Sequence, residues 1–64
     1  MPTIRVDLFE GRTPEQKRNL VKAITEAMVD HAGCKPEHLH VVIHDTPKDS
    51  WGRNGVLGID MKEQ

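Results

Sequence analysis

Two strand-like stretches with a single helix between them constrain this chain more than anything else in it. Residues 3–9, TIRVDLF, alternate in character. Ile4, Val6 and Leu8 fall on one face, Arg5 and Asp7 on the other, and Phe9 breaks the pattern at the end. That period is the mark of a half-buried strand. Residues 39–45, LHVVIHD, repeat it, with Leu39, Val41 and Ile43 on one face and His40, Val42 and His44 on the other. Between them, EGRTPEQK stops the first strand and starts a helix. Gly11 is a turn residue, Thr13 a good N-cap and Pro14 suited to the first helical position, while Gln16 completes a Thr-x-x-Gln capping box. Glu15 lies in the first turn, where negative charge is favoured. The spacing predicts a helix from Pro14 to His31. Leu20, Ile24, Ala27 and Met28 form its apolar stripe, flanked by Val21 and Ala23; Lys17, Arg18, Lys22, Glu26 and Asp30 lie mostly on the wet side. Gly33 is a fitting stop, and Pro36 in the loop CKPEH bars continuation.

A strand, a helix and a second strand in this order make a parallel pair with a right-handed crossover. TPKDSWGRNG follows, rich in turn formers, and VLGID predicts a short strand or hairpin. The expected fold class is α/β (α+β): one β-α-β unit with a short C-terminal hairpin, a single domain over residues 1–64. Two parallel strands under one helix leave a sheet edge and a sheet face uncovered, although parallel sheets are normally buried on both faces. Hydrophobic residues make up only 36% of the 64 positions, and the lone Cys34 cannot form an internal disulfide. A chain of this size commonly gains the missing burial by self-association. An obligate homo-oligomer is expected.

Charge excludes several partners. Nine Lys plus Arg stand against ten Asp plus Glu, so there is no basic footprint for nucleic acid and no polybasic membrane patch. No apolar run approaches the ~20 residues of a membrane span. The first residues also lack the apolar core of a signal peptide. A cytoplasmic protein is expected, with Cys34 a free thiol or a small buried hydrophobe.

Pro2 raises the question of chemistry. Proline has no N–H for a ladder, and a strand's first residue tolerates it. Alternatively, the initiator methionine is removed and Pro2 carries a free secondary amine, able to act as a base. An α-amino group titrates at about 7.7–8 in model peptides, and a prolyl amine is intrinsically more basic. Burial and a nearby cation such as Arg12 would disfavour its protonated form and bring it toward neutral working pH.

Pro2 behind the methionine, EGRTPEQK after the first strand, the single helix, VVI in the second strand and the turn WGRNG occur together over essentially the whole chain. In these features the chain resembles the 4-oxalocrotonate tautomerase family. The resemblance implies a β-α-β subunit that dimerises into a four-stranded sheet with two helices. It implies three such dimers in a homohexamer, with sites shared between subunits. It further implies loss of Met1, Pro2 as general acid–base, and interconversion of unsaturated 2-hydroxy acids with their 2-oxo tautomers, without metal or organic cofactor, as in aromatic degradation.

The remaining site residues follow from that resemblance. Arg12 corresponds to a family arginine that binds a substrate carboxylate, often from a neighbouring subunit. A planar guanidinium suits that task, although a solvated turn arginine is the ordinary alternative. His40 departs from the pattern, since well-known members carry a second arginine there that engages the 2-oxo and carboxylate groups. Histidine lacks the bidentate fork and carries charge only when protonated, so it should weaken dicarboxylate binding and enolate stabilisation; a strand histidine facing a subunit boundary is the equal alternative. Trp51 corresponds to an aromatic wall that excludes water, and Leu8 is expected to line the same pocket; Trp51 serves equally well as an interface aromatic. His38, His40 and His44 invite a metal reading. Positions i, i+2 and i+6 of a strand span roughly 20 Å at ~3.3 Å per residue, too far for one zinc ion, so no metal site is expected. Two other functions stay open. Pro2 could assist hydration or carbonyl addition, or the chain could be a non-catalytic oligomeric scaffold.

Overall fold

The computed structural model describes residues 2–61; the expected loss of Met1 falls outside them. Strand β1 runs Thr3–Phe9, helix α1 Pro14–Ala32 and strand β2 His40–Thr46. Two short strands, β3 at Gly52–Arg53 and β4 at Val56–Leu57, follow. β1 and β2 pair in parallel, with Thr3 opposite His40, Val6 opposite Ile43 and Phe9 opposite Thr46. β3 and β4 pair antiparallel in a separate sheet, with Arg53 opposite Val56. The β-α-β unit and its C-terminal hairpin are therefore as the sequence predicts.

The helix begins as its cap dictates. The Gln16 amide donates to the Thr13 hydroxyl at 3.2 Å, and the Thr13 amide donates to Gln16 Oε1 at 2.9 Å. This reciprocal box satisfies two N-terminal donors that the helix itself cannot. At the other end Gly33 adopts φ 69°, and the Cys34 amide reaches the Met28 carbonyl at 3.3 Å. The helix thus runs one residue past His31, to Ala32.

Four sequence expectations shift. β2 starts at His40 rather than Leu39, because a 3₁₀ turn occupies Pro36–His38 and ties the Leu39 amide to the Pro36 carbonyl. The segment VLGID divides into β4 and a 3₁₀ turn at Gly58–Asp60. On α1, Leu20, Val21, Ile24, Thr25 and Met28 are half-buried, whereas Ala23 and Ala27 are exposed. Lys17, expected on the wet side, is instead partly covered and forms an ion pair with Asp45 near the end of β2. At that exposure the pair contributes at most about 1 kcal/mol, and it fixes where the helix start lies over the sheet.

The helix covers one sheet face. Ile4, Val6 and Leu8 of β1 and Val41 and Ile43 of β2 are half-buried there. The other face holds Thr3, Arg5, Asp7, His40, Val42 and His44, all exposed, with an Arg5–Asp7 pair at 3.2 Å. Among the described residues no hydrophobic side chain is fully buried. The radius of gyration is 14.6 Å, against about 11 Å for a compact chain of this length. One helix and two strands enclose too little volume to take a side chain wholly out of water. Among the described residues no helix is long and apolar enough to cross a membrane.

The hairpin's two-residue connection, Asn54-Gly55, has φ 55° and 77°, the paired left-handed conformation of a type I′ turn. Behind the hairpin lies Gly58, the one buried residue among those described. Its amide donates to the Trp51 carbonyl at 2.7 Å. A Cβ there would fall 2.6 Å from the Lys48 carbonyl oxygen. Gly58→Ala should therefore destabilise the protein by about 1–3 kcal/mol, as overpacking does. Urea unfolding at fixed protein concentration checks this, and an unchanged midpoint would mean that the backbone approach is not tight.

Candidate active site

β1 carries a candidate residue at each end. Pro2, half-buried, precedes its first residue, and the Pro2 carbonyl accepts the His40 amide at 3.1 Å. The parallel register, with Thr3 opposite His40, thus sets Pro2 and His40 at one end of the sheet. The His40 residue itself is exposed.

Arg12 follows the opposite end. Its Nη1 donates to the Phe9 carbonyl at 3.2 Å, which holds the guanidinium back over the end of β1. The hairpin folds onto the same place. Trp51 packs edge-on against Phe9, with ring centroids 5.0 Å apart and planes at 70°. Such pairs add about 0.5–1.5 kcal/mol beyond area burial. The Lys48 ammonium lies 5.9 Å from the Phe9 ring centroid. Phe9, Arg12, Gln16, Lys48 and Gly58 line a cavity of about 450 Å³, with Glu10 and Met61 among the other lining residues.

Five residues were singled out from the sequence, and the fold divides them. Pro2 and His40 stand at one end of β1; Arg12 and Trp51 stand at the other. Seven strand residues separate the groups by about 20 Å at ~3.3 Å per residue, too far for one small acid to touch both. One chain alone does not bring Pro2 and Arg12 together. Neither Leu8 nor Trp51 is among the cavity residues: Leu8 continues the helix-facing row with Ile4 and Val6, and Trp51 stands behind the lining residue Phe9. Phe9 occupies the place expected of Leu8.

Phe9, Lys48 and Gly58 were missed as site residues. Phe9 left a signal, since it was the apolar residue that broke the alternation of β1. Its position is half-buried because Trp51 covers it from the hairpin. Lys48 and Gly58 left none, because only the folded chain brings them to the cavity that Phe9 lines. Among the described residues no group of three His, Cys, Asp or Glu side chains could hold a metal ion.

Comparison with known proteins places this geometry in context. The family model described as tautomerase enzyme matches residues 2–59. A probable tautomerase of Streptococcus pneumoniae is 47% identical over 57 residues, covering 89% of this chain and 95% of that protein. The 2-hydroxymuconate tautomerase of Comamonas testosteroni is 36% identical over 63 residues, covering 98% and 95%. Among solved structures, a 4-oxalocrotonate tautomerase isozyme from Methylibium petroleiphilum superposes with a TM-score of 0.91 at 40% identity, covering 97% of this chain and 100% of that one.

Trp51 is the sole tryptophan, so it reports on its own packing. Phe9→Ala should shift its fluorescence emission to longer wavelength as water reaches the indole. An unshifted spectrum would contradict the Phe9–Trp51 contact.

Proposed function

The chain belongs to the 4-oxalocrotonate tautomerase family and is a tautomerase-type isomerase, and from that premise we propose that it interconverts the enol and keto forms of a small unsaturated 2-hydroxy or 2-oxo acid, with Pro2 as the acid–base. In this reading Met1 is removed and the Pro2 amine is free. The nitrogen takes the proton from the enol hydroxyl, and the oxygen's electron pair closes the carbonyl. The far carbon of the conjugated system then takes a proton back from the amine. Every proton is returned, so the step consumes no cofactor.

The cavity at the end of β1 carries the reading. A guanidinium stands on its wall beside the Phe9 ring, which Trp51 backs edge-on, the arrangement that a carboxylate attached to an unsaturated chain would need. Arg12 binds the carboxylate. The Phe9–Trp51 pair excludes water around the conjugated carbons, a condition that strengthens each polar contact inside. His40 stands beside Pro2 and assists at the oxo group, more weakly than a permanently charged arginine would.

Completing the site requires another copy of the chain. Pro2 and Arg12 lie at opposite ends of one strand, and the sheet face opposite the helix is open. A second copy would cover that face and bring its own Arg12 end toward Pro2. A homohexamer, built as a trimer of dimers in the cytoplasm, is the assembly this reading favours.

Intact mass of the cellular protein is the first check. It should be lower than the encoded chain by one methionine; a retained methionine would tie Pro2 into an amide and remove it as a base. Pro2→Ala should then slow enol–keto conversion of phenylpyruvate by about 10²–10⁴-fold, the range for loss of an acid–base group. Rates equal to the parent's would take Pro2 out of the mechanism. Arg12→Ala should raise KM for carboxylate substrates while subunit assembly, followed by sedimentation, stays unchanged. An unaltered KM would reduce Arg12 to a turn residue.

A further inference from the structure

Arg12 is not the only cation in its cavity. Lys48 lines the same space, and the two converge on a single residue. Arg12 holds the Phe9 carbonyl at 3.2 Å, and the Lys48 ammonium stands 5.9 Å from the Phe9 ring centroid. Neither cation has a carboxylate partner among the described residues, whose ion pairs are Arg5–Asp7, Lys17–Asp45 and Arg18–Glu15. Glu10 also lines the cavity, but it bonds neither cation there. Among the described residues, the cavity lining therefore carries a net positive charge.

The backbone under Lys48 is fixed. Gly58 sits so close that a Cβ would meet the Lys48 carbonyl oxygen at 2.6 Å and its Cα at 3.2 Å. Lys48–Ser50 forms a 3₁₀ turn in which the Ser50 amide donates to the Pro47 carbonyl at 2.9 Å, and just beyond it the Trp51 carbonyl accepts the Gly58 amide at 2.7 Å. The turn before the hairpin thus presents the lysine stem at a set place on the cavity wall. Two like charges directed at one small cavity repel each other, and an anion between them would relieve the repulsion.

We propose that Lys48 is a second carboxylate-binding residue of this cavity, closing on the opposite side of the substrate carboxylate from Arg12. The inference rests on the reading that the Arg12 cavity takes a substrate carboxylate. Arg12 supplies the planar fork, and Lys48 supplies a point charge on a flexible stem that lies over the Phe9 ring. On binding, the ammonium leaves the ring face for the carboxylate oxygen. Lys48 therefore acts on affinity for the acid end of the substrate, while the proton transfer at Pro2 proceeds as before.

Adipate, a saturated dicarboxylate that cannot tautomerise, reads this directly by calorimetry on the assembled protein. Lys48→Met keeps the stem and removes the charge. It should weaken adipate binding about tenfold, the size of one charge-assisted hydrogen bond, and raise KM for an unsaturated 2-oxo diacid in proportion with kcat nearly unchanged. Lys48→Arg should restore most of the affinity, which a merely structural role would not do. Adipate bound equally by Lys48→Met and the parent, but weakly by Arg12→Ala, overturns the role of Lys48 alone. Unchanged binding in both variants overturns the carboxylate cavity, and the role of Lys48 with it. A fall in kcat without a change in adipate affinity also overturns it.

Discussion

Everything in this structure follows from one shortage: among its described residues, no apolar side chain is wholly removed from water. One helix lies on one face of a two-stranded parallel sheet, and the other face is open. Burial drives folding, so a chain that leaves this much apolar surface half-wet is marginal by itself. Val42 on the open sheet face is 47% exposed and Ile59 beyond the hairpin is 61% exposed. In the proposed account, association completes the core and completes the site in the same step.

The hairpin illustrates how little material the chain spends on its site. β3 and β4 are two residues each, too short for an independent sheet. They hold because Asn54-Gly55 fits the turn and Gly58 presses against the backbone of Lys48. Their effect is to bring Trp51 and Lys48 onto Phe9, which belongs to β1 and is already anchored by its pairing with Thr46. The cavity is thus built on a strand end that the β-α-β unit has placed, with a flap whose geometry a single glycine controls.

Much of this was legible in the sequence, and for physical reasons. The alternation Ile4-Val6-Leu8 marks β1 because only a strand puts every second residue on one face. The Thr13–Gln16 box marks the helix start because its two hydrogen bonds are local. Features that depend on distant partners were not legible. Lys17 reads as a surface lysine until Asp45, far away in sequence, is placed beside it. Ala27 fits the stripe by spacing, but it is exposed and Thr25 is half-buried instead. Leu8 and Phe9 are neighbours in sequence, and the pattern alone could not say which of them Trp51 would meet. Pro2 stood out in the sequence itself, and the family resemblance added Arg12, His40 and Trp51 as candidates; the fold then put them at two ends of one strand.

That separation is the centre of the account, and subunit complementation tests it most directly. Pro2→Ala and Arg12→Ala proteins, each nearly inactive at substrate well below the parental KM, would be mixed in equal amounts, unfolded together and refolded. If each site takes Pro2 from one copy and Arg12 from another, random assembly gives about a quarter of the sites both intact residues, and the mixture should recover about a quarter of parental activity. Activity no higher than that of the two variants measured apart would contradict a site shared between chains.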